Sequence, residues 1–145
     1  MKIFEAGSCF RKESQGAEHM NEFTMLNLVE LDSVEDGEQM ERLEYLAKCA
    51  MDAVGIDKYE IVRESSGVYI ETLDIIADGI EIASGAYGPH VLDANWGIFE
   101  PWVGIGLGLE RIAMIKGEYR TIKRAGKSTT YVNGIPLKNR WLLNT

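Results

Sequence analysis

Apolar and polar residues alternate along the first part of the chain. The period is close to two from Ile3 to Glu13, and it resumes from Glu22 to Leu31 after the polar run Ser14–Asn21. Strand side chains point alternately to two faces, so this pattern predicts a long-loop antiparallel hairpin. The period then changes. Met40, Leu43, Leu46, Ala47, Ala50, Met51 and Val54 recur at helical spacing and predict a helix over Asp36–Val54. Asp36 and Gln39 suit a capping box, and Gly55 suits a stop. Strand-like runs follow at Tyr59–Glu64, Val68–Ile76 and Ile80–Ala86, with turns at Ser65-Ser66-Gly67 and Ala77-Asp78-Gly79. After a loop over Tyr87–Glu100, Trp102–Gly108 predicts a strand that passes directly into a helix at Leu109–Lys116. Mostly antiparallel strands with two helices describe an α+β domain whose helices share one face of the sheet.

Composition bounds this picture without changing it. The 145 residues are 46% hydrophobic and 26% charged, the balance of a single folded domain with a real core. No apolar run approaches the roughly 20 residues of a membrane helix. The opening MKIFEAGSCFRKES lacks the apolar stretch and cleavage site of a signal peptide, so a cytoplasmic protein without a membrane partner is expected. Cys9 and Cys49 lie far apart and read as reduced thiols, and two histidines, His19 and His90, make a zinc site a poor reading. The net charge of −8 is divided unevenly: residues 1–110 carry −15 and residues 111–145 carry +7. An acidic body with a basic tail suits a polyanion docking at one end, although solvated lysines alone give the same count.

Candidate chemistry sits on the first hairpin and the last strand. By parity Arg11 and Glu13 share a face, as do Phe23, Met25, Asn27 and Val29, while Thr24, Leu26 and Leu28 turn the other way. One face thus offers a cation, a carboxylate, an aromatic ring and an amide, joined by a loop histidine, His19. An Arg–Glu pair alone is equally an exposed strand pair. Further on, Trp102, Gly104, Gly106 and Gly108 line one face of their strand, and Glu110-Arg111 open the next helix. Each interior strand glycine costs roughly 0.5–1 kcal/mol relative to alanine. Three in alternation therefore argue for a flat ligand against bare backbone. The pattern is neither a P-loop nor a dinucleotide fingerprint.

Phe10-Arg11-Lys12-Glu13, a loop and His19-x-x-x-Phe23 resemble motif 2 of the class II aminoacyl-tRNA synthetases, and Gly104-x-Gly106-x-Gly108-x-x-Arg111 resembles motif 3. The resemblance implies ATP as cofactor and adenylate formation as chemistry. It implies that Arg11 is catalytic on the α-phosphate, that Glu13 reads adenine, and that His19 meets the distal phosphates. Adenine would lie between Phe23 and Arg111, the second catalytic arginine, with Met20 and Gly108 completing the ATP site. Glu81 and Ser84 would hold Mg²⁺; as bare residues they read as solvated strand positions. They are three apart, so a bulge or strand end near Gly85 must bring them together.

The segments GSCFRKESQGAEHMNEFTMLNL, YIETLDI, EIASGAYGPHVLD and EPWVGIGLGLERI carry a finer resemblance, to the pyrrolysyl-tRNA synthetase family of the bacterial type. It implies an amino-acid pocket of Met25, Asn27, Val29, Tyr69, Ala86, Trp102 and Gly104, with Asn27 on the side-chain carbonyl and Tyr69 on a closing hairpin. It implies pyrrolysine or a similar lysine derivative as substrate and the cognate suppressor tRNA as acceptor. The basic stretch Arg120, Lys123, Arg124 and Lys127 is the expected tRNA contact. The family carries an upstream region with motif 1, which this chain lacks, so a partial core over 1–145 is expected. Its remaining part would be supplied in cis or trans, and a homodimer is expected when complete. Two other readings stay open: an adenylate-forming paralogue with another acceptor, and a catalytically silent module that binds tRNA or a partner synthetase.

Overall fold

The alternation of the first hairpin produces strands β1 (Lys2–Phe10) and β2 (Glu22–Leu31), paired antiparallel from Lys2 opposite Glu30 to Phe10 opposite Glu22. A computed structural model describes residues 1–12, 16–69, 71–126, 131–132 and 135–136. The first strand stops at Phe10, short of the expected Glu13, although the Arg11 N–H still donates to the Asn21 carbonyl at 3.0 Å. Glu13 itself lies outside the described residues.

Helix α1 spans Gln39–Val54, three residues shorter than its apolar period suggests. Gly37 sits at φ +94°, which an α-helix cannot contain. Gln39 donates to Asp36 at 2.9 Å and accepts from the Gly37 N–H at 2.6 Å, so the pair braces the approach to the helix and is not a capping box. Gly55 ends the helix in the left-handed conformation, as expected.

Strands β3 (Glu60–Ser65), β4 (Glu71–Ala77) and β5 (Ile80–Gly88) form a meander. The strand expected from Val68 begins only at Glu71, because Ser66 Oγ takes the N–H groups of Val68 and Tyr69 out of the ladder. Asp78 and Gly79, both at positive φ, make the two-residue turn between β4 and β5. Strand β6 (Trp102–Gly108) runs straight into α2 (Leu109–Lys116), matching the pattern residue for residue. A 3₁₀ turn at Asp93–Trp96, a short helix α3 (Ile122–Ala125) and the small pair β7 (Tyr131–Val132) and β8 (Ile135–Pro136) carry no clear periodic signal.

The main sheet is antiparallel in the order β1-β2-β6-β5-β4-β3. Leu73, Ile75, Val103, Ile105 and Leu107 face one side and pack beneath Leu43, Ala47 and Met51 of α1 and Ile112 of α2. This is the expected α+β arrangement, with both helices burying one face. The opposite face carries the glycines of β6 and is left open.

Candidate functional site

Cross-strand register organises the open face into rows. One row runs Asp74, Ser84, Gly106, Asn27, Glu5 across five strands, and the next runs Thr72, Ala86, Gly104, Val29, Ile3. Gly106 lies at the centre. A Cβ there would meet Met25 Cε at 2.8 Å and Asn27 Oδ1 at 2.9 Å, so both side chains lie over bare backbone.

Glu81 and Ser84 reach the same side through a bulge. The β4–β5 register passes from Ile76 opposite Glu81 to Ile75 opposite Ala83, leaving Ile82 as the extra residue. Ile82 and Ala83 are consequently both buried while Glu81 and Ser84 are both exposed. The irregularity falls at Ile82, nearer the turn than the expected Gly85. Ser84 Oγ donates to Asp74 Oδ1 at 2.5 Å.

These elements enclose a cleft of about 190 Å³ whose walls include Arg11, His19, Met20, Phe23, Met25, Glu81, Ser84, Gly108 and Arg111. All the expected ATP residues within the described part of the chain therefore converge. The Arg11 guanidinium sits 4.9 Å from the centre of the Phe23 ring, on the aromatic face expected to stack adenine. Arg111 donates to the Glu81 carbonyl at 2.6 Å and lies 3.7 Å from its carboxylate. Its guanidinium is thereby drawn across from α2 to β5.

Glu110 was not singled out by sequence. It is 7% exposed, and its carboxylate accepts the Thr24 N–H at 2.7 Å and the Thr24 hydroxyl at 2.8 Å. The β2–β6 ladder ends at Met25 opposite Gly108, where β6 turns into α2, so the carboxylate takes over for a missing strand. The 16–20 loop is tied down similarly. Ile122 N–H donates to the Ala17 carbonyl at 2.8 Å, and Met20 packs so closely on Gly126 that a Cβ there would lie 2.6 Å from Met20 Cε.

The expected amino-acid residues other than Tyr69 share the open face by register, but only Met25 lines the same cleft. Trp102 is held by its indole N–H, which donates to Asp93 at 2.7 Å, and by contact with Gly88, where a Cβ would lie 2.0 Å from Nε1. The His90 backbone N–H and the Trp102 indole hold the Asp93 carboxyl below its ordinary range. Tyr69 stands edge-on to Trp102 at 6.1 Å and to His90 at 5.7 Å. It lines a separate cavity of about 430 Å³ with Gln39, Gly88, Pro89 and His90. Asp93 and Gly88 were missed because only a loop without periodic pattern and the β5–β6 register bring them against Trp102.

The expected tRNA residues Arg120 and Lys123 are exposed and Arg124 is half-buried, flanking Ile122 in the cleft wall; Lys127 lies outside the described residues. Glu81 and Ser84 offer the hard oxygens that Mg²⁺ prefers. No group of three or more His, Cys, Asp and Glu side chains among the described residues makes a metal cage. Two protein oxygens suit an ion whose other ligands are phosphate and water. No helix among the described residues is long and apolar enough to cross a membrane.

Residues 1–131 match the family described as tRNA synthetases class II core domain (F). A crystal structure of pyrrolysyl-tRNA synthetase from Desulfitobacterium hafniense superposes with a TM-score of 0.84 at 50% identity, covering 94% of this chain and 49% of that one. A second structure of a pyrrolysyl-tRNA synthetase from the same organism gives a TM-score of 0.85 at 49% identity, covering 94% and 48%. The chain thus spans about half the length of the proteins it resembles.

Proposed function

From the premise that this chain belongs to the class II aminoacyl-tRNA synthetase core family, we propose that it activates pyrrolysine or a similar lysine derivative with ATP and ligates it to the cognate suppressor tRNA. The observation that carries this reading is the convergence of Arg11, His19, Phe23, Glu81, Ser84 and Arg111 on one cleft. Nothing in the packing of the sheet requires two arginines, a histidine and a carboxylate to meet over a strip of glycine.

Adenylate formation brings an amino-acid carboxylate onto the α-phosphate, so negative charge gathers around phosphorus. Arg11 supplies a rigid planar fork for that charge. The Phe23 ring that Arg11 faces at 4.9 Å offers the flat surface on which adenine stacks. Arg111 covers the opposite face of the base, where a cation–π contact is worth ~0.5–2 kcal/mol. His19 and Met20 approach the triphosphate from the docked loop, and Glu13 reads adenine. Mg²⁺ held by Glu81 and Ser84 would neutralise phosphate charge. Asn27, beside Met25, Val29, Ala86, Gly104 and Trp102, orients the amino-acid side chain, with Tyr69 closing over it.

We place a cytoplasmic tRNA among the partners, with the remaining half of the family's fold in this chain or another, and a homodimer as the complete assembly. The test is ATP–pyrophosphate exchange dependent on pyrrolysine, with the remaining half supplied. Arg11→Ala should lose ~10²–10³-fold in rate, or on the order of 3–4 kcal/mol. Arg111→Lys should also fail, because a point charge does not stack as a planar fork does. Near-wild-type exchange by either variant would overturn these roles. Absence of exchange in the wild type, with tRNA binding intact, would favour a silent binding module.

A further inference from the structure

Asp74 falls in the YIETLDI segment, where the resemblance implies no role for it, and it is the cross-strand partner of Ser84 in the same row of the open face. The 2.5 Å separation between Ser84 Oγ and Asp74 Oδ1 is that of a hydroxyl donating to an ionised carboxylate. A serine hydroxyl has one proton and two lone pairs. A cation takes a lone pair and repels the proton, so a ligating serine needs an acceptor pointing away from the metal. Asp74 provides one. It fixes the hydroxyl rotor, sends the Ser84 lone pairs into the cleft beside Glu81, and enriches the oxygen with negative charge. The Ile82 bulge puts Glu81 on that same side, and Arg111 approaches Glu81 from the other flank.

We propose that Asp74 is a positioning residue for the divalent cation of the ATP site, acting through the Ser84 hydroxyl. The proposal rests on the reading of Glu81 and Ser84 as the metal position. Asp74 does not itself touch the metal or the substrate. Carboxylates behind a ligand typically change metal affinity 10–100-fold when removed. A plain strand-pairing role would change only the stability of the β4–β5 hairpin.

The experiment is a titration of Mn²⁺ onto the full chain with a non-hydrolysable ATP analogue, followed by electron paramagnetic resonance of the free ion. Four variants are compared, with near-ultraviolet circular dichroism confirming their fold: Glu81→Gln, Ser84→Ala, Asp74→Val and Asp74→Asn. Asp74→Val keeps strand propensity and removes the acceptor, and should weaken Mn²⁺ about tenfold, close to Ser84→Ala. The double variant Asp74→Val/Ser84→Ala should bind no more weakly than Ser84→Ala alone, because both changes remove one ligand. Asp74→Asn retains an acceptor oxygen and should recover most of the affinity. Should Asp74→Val not fold, Asp74→Ala takes its place in the same titration. Wild-type affinity in the Asp74 variants beside a weakened Ser84→Ala would overturn the inference and leave the metal position standing. Unaltered Mn²⁺ binding in Glu81→Gln and Ser84→Ala, or none in the wild type, would overturn the metal position and the inference with it.

Discussion

Glu110 is a buried carboxyl group that holds two donors of one residue, Thr24. Burying a carboxylate is costly unless hydrogen bonds replace its hydration. Here they do, and they join the strand that bears Phe23 to the helix that bears Arg111. Glu110→Gln turns an amide N–H₂ towards one of those donors and should lower stability by about 1–3 kcal/mol in urea denaturation. Thr24→Val removes only the hydroxyl and should cost less, about 0.5–1.5 kcal/mol. The double variant should fall short of the sum, since both changes break the same contact. Full additivity would show that the contact contributes nothing to the coupling of the two elements. Single residues of this kind were the least legible in the sequence. Arg11, His19, Phe23 and Arg111 stood out because a motif spaces them, and the cleft brings them together. Glu110, Asp74 and Asp93 stood out in no spacing, because each is defined by a partner fixed only by register or by a loop. Asp74 was the most accessible of them: the Asp78-Gly79 turn and a one-residue bulge together set it opposite Ser84.

Elements were legible in kind and less so in extent. The strand Trp102–Gly108 and the helix after it were matched residue for residue because glycine alternation and helical period meet there without a spacer. Elsewhere a local hydrogen bond or a backbone angle cut the periodic run short. Ser66 delays β4, and Gly37 delays α1. The packing of these elements contains an ionic clip that their periods do not announce. Glu30 of β2 receives Arg42 of α1 through two hydrogen bonds of 2.8 Å and Lys2 of β1 at 3.2 Å. Hydrogen bonding from Arg42, then from Lys2, outweighs the opposing effect of burial and pulls the Glu30 carboxyl from 4.5 to about 2. A carboxyl depressed in the folded state stabilises it above the unfolded value and loses that stabilisation as pH falls through the folded one. The clip should therefore act fully above pH ~4.5 and be gone by pH ~2, a loss on the order of 3 kcal/mol. Thermal unfolding across that window should show Tm falling more steeply in the wild type than in Glu30→Gln, which has no carboxyl to protonate. Parallel profiles would remove the clip from the account of acid stability.

At the scale of the whole molecule, charge is segregated along the sequence. The first 110 residues carry −15 and the remainder +7. The structure sets the beginning of the basic part beside the site, because Ile122 lines the cleft while Arg120 and Lys123 flank it on the exposed side. A nucleic acid approaching elsewhere meets an acidic body, so the same charge pattern attracts and orients. We propose that Arg120, Lys123, Arg124 and Lys127 meet phosphates of the tRNA where its acceptor end enters. Such contacts fix position without reading sequence. Each neutralised phosphate releases condensed counterions, so ~4 contacts should give a log–log salt slope of about −3 to −4 for tRNA binding. Arg120→Gln/Lys123→Gln, both at exposed positions, should make that slope shallower by roughly one to two and weaken binding most at low salt. Pyrophosphate exchange should change little, because neither side chain lines the ATP cleft. Filter-binding titrations across a salt series separate this from a basic face that merely keeps the chain solvated. A solvated face leaves slope and affinity as they were, and that result would remove tRNA from this end of the molecule.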